Sequence, residues 1–300
     1  MDRFHLMSVF VAVAEAESFA AAARKLGMSP PAVTRAVSAL ESRLGAKLLT
    51  RTTRYVRVTD AGLRYLEQAR RIIAEADEAD ESAAGMNAEP RGQLAITAPV
   101  LFGRLYVMPS VVAYLRAFPA MTISAVFLDR IVNLLEEGMD MGVRIGDLPD
   151  STMRAIGVGQ VRRVVCASPQ YFEKHGIPRT PADLIRHTLI AANPVSPSAE
   201  WRFGAGKKAA NVRVKPRLVV TNNEAAIDAA LRGFGITRLL SYQCAPHVAS
   251  GKLKIVLVEH EPPRLPIHVL HREGRQASAK VRSFVDLLVE NLRSDKALAA

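Results

Sequence analysis

Residues Phe19–Gly62 read FAAAARKLGMSPPAVTRAVSALESRLGAKLLTRTTRYVRVTDAG, and the first domain follows from them. Ser18 stands as an N-cap ahead of Phe19–Leu26, a stretch rich in the strong helix former Ala. Gly27 supplies the residue without a side chain that a tight helix–helix turn needs. Ser29 caps a further helix with Pro30 and Pro31 in its first turn, where a missing N–H leaves no bond unmade. Ala32, Val33, Val37, Leu40 and Leu44 form its apolar stripe. Thr34, Arg35, Ser38 and Ser42 fall on its outer face, and Gly45 stops it. Leu48–Val58 (LLTRTTRYVRV), with β-branched residues and arginines, reads as a short hairpin. Paired helices, a glycine turn and a basic hairpin spell a winged helix-turn-helix, the hairpin suited to phosphates and the minor groove.

Working outward, Arg3–Ala16 reads as a leading amphipathic helix with Phe4, Phe10, Val11 and Ala14 at helical spacing. Leu6–Ala14 is nearly all apolar, but Asp2 cancels Arg3, so the basic start of a secretion signal is missing. The chain's 300 residues carry a net charge of +11 and a pI near 10.0. That charge is concentrated: residues 20–58 hold eight bases against the single acid Glu41. Residues 60–91 reverse the balance, with eight acids against four bases. A compact basic head points to a polyanionic partner such as nucleic acid. At 49% apolar and 23% charged, the composition excludes disordered and fibrous classes. No run of 18 apolar residues occurs, so no membrane span is expected.

The head resembles the N-terminal signature of the LysR-type transcriptional regulators. Ala22–Leu26 match the entry to the turn, Ser29–Arg35 the recognition helix, Leu40–Gly45 its end and Val58–Gly62 the start of a linker helix. Two positions depart from the pattern. Pro30 stands where the family commonly has Gln, which removes an amide able to read adenine, and Leu49 replaces the usual Phe. The resemblance implies α/β architecture behind an all-α winged head: an effector domain of two α/β subdomains like a type 2 periplasmic binding protein. The implied limits are 1–59 for the head, 60–91 for a dimerising linker helix and hinge, and 92–300 for the effector domain. Lobe one would hold 92–162 plus 267–293, and lobe two 163–266. The DNA-contacting residues so implied are Ser29, Pro30, Pro31, Thr34, Arg35, Ser38, Arg51, Thr52 and Arg54.

Downstream of Asp60 the sequence permits helix as far as Ala88, with Leu63, Leu66, Ala69, Ile73 and Ala76 as a thin stripe that wants a partner helix. Asn87, Pro90 and Gly92 mark a hinge. Beyond it the pattern alternates: strands over 94–98, 122–127, 140–145, 161–167 and 217–220, and helices over 106–118, 132–137, 169–174, 224–233 and 279–292. Ligands of such sheets bind at carboxyl ends of strands and adjoining helix starts. Three segments fit: Thr97, Pro99, Val100, Leu101 and Phe102; Arg144 and Gly146; and Thr221, Asn222 and Asn223. Leu128 and Ile236 join them by analogy with the family's effector cleft. Polar caps beside Arg144 suit a small carboxylate or aromatic acid.

No nucleophile elbow, phosphate loop or zinc-binding helix is present, so no catalysis and no cofactor are expected. His268 and His271, three apart in a strand, fall on opposite faces and make no metal pair. Cys166 and Cys244 read as core thiols in a reducing compartment. The expectation is a cytoplasmic regulator that binds double-stranded operator DNA as a dimer or tetramer. It would take a small-molecule effector, contact RNA polymerase if an activator, and involve no membrane. A periplasmic solute-binding protein, in which no basic wing is expected, and a cytosolic α/β enzyme with a DNA-unrelated basic surface, which lacks a catalytic constellation here, are the competing readings.

Overall fold

Asp2, Ser18 and Ser29 each begin a helix by accepting a backbone N–H, from Phe4, Ala21 and Ala32 respectively. The helices are α1 (Arg3–Ala16), α2 (Phe19–Leu26) and α3 (Pro30–Leu44), and Gly27 and Gly45 end the latter two in the left-handed conformation. This is a computed structural model describing residues 2–51, 56–83, 89–130, 132–148, 153–192, 199–206, 209–272 and 278–298. The chain divides into two units, Met1–Ala88 and Glu89–Ala300.

In the first unit Leu6, Val9, Phe10 and Val13 of α1 pack against Val33, Val37 and Leu40 of α3. The expected α3 stripe needs two corrections. Leu44 is exposed, because the helix has already run past the core, and Ala36 and Glu41 are buried in its stead. Glu41 is accommodated because it is fully used. Its Oε1 accepts from the Leu48 and Leu49 amides at 3.0 and 3.1 Å, and its Oε2 pairs with Lys47 at 2.7 Å. Those amides open the wing, β1 (Leu49–Arg51) with β2 (Val56–Val58), paired Leu49 to Val58 and Arg51 to Val56. Thr59 then turns the chain: its hydroxyl donates to the Lys47 carbonyl at 2.7 Å and accepts from the Gly62 amide at 2.9 Å. That starts α4 (Asp60–Ala83). A side chain at Gly62 would strike the Leu48 carbonyl and Val58, which explains the glycine there. The stripe of α4 is partly spent within its own chain, since Ala69 is buried and Tyr65 meets Phe10 at 5.7 Å; Leu63 stays 55% exposed.

The second unit opens with β3 (Gly92–Ala98), then α5 (Val100–Phe102), a π turn over Gly103–Val107 and α6 (Met108–Ala117). Next come β4 (Met121–Phe127), β5 (Met141–Ile145) and β6 (Met153–Val161). The chain leaves this sheet at Arg162 and enters another through β7 (Arg163–Ala167) and α7 (Pro169–His175). There follow β8 (Leu189–Ala192), the hairpin β9 (Ala199–Phe203) and β10 (Ala210–Val214), and β11 (Leu218–Val220). Then come α8 (Asn223–Leu231), β12 (Ile236–Leu240), α9 (Ser241–Ala249) and β13 (Lys254–Val256). The chain returns through β14 (Leu265–Arg272) and ends on α10 (Ala279–Ser294). The sheet orders are β4-β3-β5-β14-β6 and β11-β8-β12-β7-β13. β3 runs parallel to β4 and β5, whereas β14 is antiparallel to both neighbours.

Several expectations shift. The run 161–167 is two strands in two sheets, because Arg162 leaves both ladders; its amide takes the Ser241 hydroxyl instead. No helix forms over 132–137. Asn133 Oδ1 accepts from the Leu135 amide and closes a turn, an Asn habit that competes with helix. The helix expected at 106 begins at Val100. Val100–Ala117 is also the one described helical run with the length and mean hydropathy (1.2) of a membrane span, although charged residues interrupt its apolar sequence. Its buried side chains Phe102, Val107, Val111 and Tyr114 pack into the core with Phe284 and Leu288 of α10. The Tyr114 hydroxyl meets Ser283 at 2.7 Å and anchors that final helix.

Glu41 sets a stability prediction. Burial pushes its carboxyl up, but the Lys47 hydrogen bond and the Leu49 and Leu48 amides outweigh this and hold it below the ordinary 4.5. A depressed carboxyl stabilises the fold above its ordinary value, and that contribution is lost as pH falls through the lower folded value. Glu41→Gln removes the charge and is expected to cost the head about 1–3 kcal/mol at neutral pH, narrowing in acid. Urea titrations of both proteins at neutral and acidic pH check it.

Candidate functional site

The capped start of α3 presents Ser29, Pro30, Pro31, Arg35 and Ser38 to solvent, with Thr34 half-buried between them. The Ser29 oxygen is occupied by the Ala32 amide, which leaves its O–H to donate outward. Arg35 is exposed and makes no ion pair among the described residues. Arg51 belongs to β1, and its backbone pairs with Val56. Thr52 and Arg54 lie outside the described residues. Lys25 and Arg70 both pair with Glu15, at 3.2 and 3.0 Å, and so tie α2 and α4 to α1. The result is a basic, polar helix face held rigidly beside a hairpin, a shape able to enter a groove and contact phosphates.

In the second unit the parallel strands β3 and β4 end together, with Thr97 lying opposite Val126 of β4 on one side and opposite Gly142, near the start of β5, on the other. Thr97 is buried, and its hydroxyl has no hydrogen-bond partner among the described residues. Pro99 and Val100 follow, both half-buried. The Val100 amide, first of the helical turn, donates to Asp129 Oδ1 at 3.0 Å. Asp129 sits just past half-buried Leu128, so the chain itself caps that turn.

Other candidates are placed differently from expectation. Leu101 and Phe102 point into the core; the Phe102 ring stacks on Tyr106 at 4.9 Å and meets Tyr242 of α9 edge-on at 5.4 Å. Helical geometry turns them inward, since α5 must bury one face against the sheet. Arg144 spends donors on the carbonyls of Val143 and Val132, at 3.2 and 3.1 Å, and so pins the loop after β4. Burial lowers its pKa, opposed by the nearby Glu137 and reinforced by Arg130. Gly146 donates its amide to Pro266, the start of β14. Ile236 is fully buried in the core that Trp201 and Phe203 form on one face of the second sheet.

Thr221 and Asn222 are exposed and Asn223 half-buried at the start of α8. Asn222 Oδ1 accepts from the Ala225 amide at 2.8 Å, which leaves its NH₂ to donate. One contact joins the two edges: Arg104, in the π turn after α5, pairs with Glu224 of α8 at 2.9 Å. Arg104 was not among the expected residues. Nothing in sequence distinguishes it from any other surface arginine, because its partner lies 120 positions away.

The family-model comparison is consistent with both halves. Residues 4–63 match the bacterial regulatory helix-turn-helix of the LysR family, and residues 87–293 match the LysR substrate-binding domain. The chain belongs to the LysR-type transcriptional regulators. It is 35% identical over 292 residues to an HTH-type transcriptional regulator of Xanthomonas campestris, covering 96% of this chain and 85% of that one. It is 34% identical over 285 residues to PtxR of Pseudomonas aeruginosa, covering 94% and 91%. Among solved structures, CrgA of Neisseria meningitidis is similar at TM-score 0.62 and 29% identity, over 96% of this chain and 98% of that one. AphB of Vibrio cholerae shares the fold at TM-score 0.62 and 23% identity, over 96% and 99%.

The inward ring of Phe102 gives a measurable consequence. Phe102→Ala is expected to destabilise the second unit by about 3–5 kcal/mol through the cavity it leaves. A urea titration followed by far-UV circular dichroism reads that loss.

Proposed function

We propose that this regulator reads operator DNA with Ser29, Pro30, Pro31, Thr34, Arg35 and Ser38, and holds phosphates with Arg51, Thr52 and Arg54. The exposed, unpaired Arg35 on a capped helix supports direct reading of a guanine edge. The working boundaries are 1–59, 60–91 and 92–300, with lobes 92–162 plus 267–293 and 163–266. The chain acts in the cytoplasm as a homo-oligomer, a dimer built on α4 and a tetramer through its lobes, and does not catalyse a reaction. As an activator it would contact RNA polymerase.

The effector is a small carboxylate or aromatic acid seated between Thr97 and Asn222, with Pro99, Val100, Leu128, Gly146, Thr221 and Asn223 around it. The observation that carries this reading is the buried Thr97 hydroxyl without a partner. An unmet polar group inside a protein costs stability, and a ligand oxygen at that edge would satisfy it. The Arg104–Glu224 pair supports an edge whose two sides approach one another. Leu101, Phe102 and Ile236 drop out of the contact set, and Arg144 acts by holding the loop.

Two variants test the halves separately. Arg35→Ala is expected to weaken operator binding by about 1–3 kcal/mol, concentrated at one base position, with binding to random DNA little changed. Equal losses on both DNAs would reduce Arg35 to a phosphate contact. Thr97→Val keeps the volume and deletes the hydroxyl. It is expected to leave basal operator binding and folding intact while shifting the dose–response to a small-carboxylate panel. An unchanged response would refute the site.

A further inference from the structure

Arg163 opens β7 and Arg238 lies in β12, two antiparallel strands paired Arg238 to Val165 and Leu240 to Arg163. Directly paired residues share a face, and so do residues two apart, so the arginines are diagonal neighbours on one side of the sheet. That side is the one covered by the β9–β10 hairpin and α7, with Val165, Ile236, Trp201 and Phe203 in its core. The helix α8, which Asn222 caps, packs on the opposite side through Ala226, Ile227 and Ala230.

Both arginines are half-buried. The Arg238 guanidinium stands 5.3 Å from the Trp201 ring and 6.0 Å from Phe203, and its Nη1 donates to the Arg202 carbonyl at 3.3 Å. The Arg163 guanidinium has no hydrogen bond and no ion pair among the described residues. The adjacent Arg162 does find an acid, Glu261 at 3.3 Å. Burial, with the Arg163 charge beside it, draws the Arg238 pKa down to about 9, and burial lowers that of Arg163 as well. Two like charges partly withdrawn from water, with no counter-charge beside them among the described residues, are costly, and proteins retain such groups where something compensates them.

We propose that Arg163 and Arg238 form a binding site for a doubly charged tetrahedral oxyanion, of the phosphoryl or sulfate kind, on the hairpin face of the second sheet. Two guanidinium forks offer parallel N–H donors matched to such oxygens, and a dianion neutralises both charges at once. Trp201 fixes the plane of the Arg238 fork beforehand, so less freedom is lost on binding. The site is independent of the effector reading, since it uses other residues on the other face.

The probe is inorganic phosphate, titrated calorimetrically into the full chain at constant ionic strength balanced with sodium chloride. A saturable isotherm near one phosphate per chain is expected. R163Q and R238Q should each weaken it by about tenfold or more, and R163K should retain more binding than R163Q. In phosphate-free buffer R163Q should melt above the parent protein, because the repulsion is relieved. Arg163 touches no ring, so R163Q keeps the test readable should R238Q loosen the hairpin. Sulfate should displace phosphate and acetate should not; equal displacement by acetate would overturn the dianion assignment. Absent or unsaturable heat in the parent protein, or undiminished binding in the double variant, would overturn the site. Dissociation of the oligomer by R163Q in light scattering would overturn it too, assigning the pair to a carboxylate of a second copy.

Discussion

The carboxylate of Glu41 governs the head. One side chain in the last turn of α3 satisfies the Leu48 and Leu49 amides and binds Lys47, so the helix and the start of the hairpin are tied to one another. Thr59 extends the same arrangement by one step, carrying the end of the wing into the start of α4. A buried charge is tolerable only when its acceptor sites are filled, and here they are filled by the groups that need fixing. The geometry presented to DNA rests on this interior bond at least as much as on the surface residues that would touch it.

The second unit solves a different problem, which is to keep two sheets related along one chain. Among the described residues two stretches of chain pass from one sheet to the other, at Arg162 and between β13 and β14. Around them lie the Phe102–Tyr106–Tyr242 aromatic contacts and the exposed Arg104–Glu224 pair. The aromatic contacts are core packing and rigid, whereas an exposed ion pair is weak and easily exchanged. That combination suits a pair of lobes that adjust against each other about a fixed waist.

Much of the head was legible because its signals are local. Ser18, Ser29, Pro30, Pro31, Gly27 and Gly45 each act within a few residues, and the helices start and stop where those residues direct. The burial of Glu41 was not legible: in sequence it reads as the lone acid on a basic helix, and only the folded wing supplies its donors. In the second unit β3, β4, β5 and α10 were read from periodicity alone. Short strands such as β8 and β13 carry no clear signal, because a few apolar residues fit helix and strand alike. The helix α9 escaped notice with Pro246 in its interior. Among site residues, sequence could find strand ends such as Thr97 but not the direction of a side chain. Phe102 and Ile236 therefore read as cleft residues although both are core, and Arg104 passed unnoticed.

The path of β14 carries a consequence for how the protein is made. The first sheet starts with β3, yet β14 lies inside it, hydrogen-bonded between β5 and β6. The second sheet is complete once residues 163–256 are available. A ribosome delivering the chain from its N-terminus therefore releases everything the second lobe needs while the first sheet still has an open seam. The sheet begun first is finished last, and until Leu265–Arg272 emerges the β5 and β6 edges stand unpaired. Nascent chains stalled short of that strand would hold a folded second lobe and a first lobe exposed to aggregation and to chaperones.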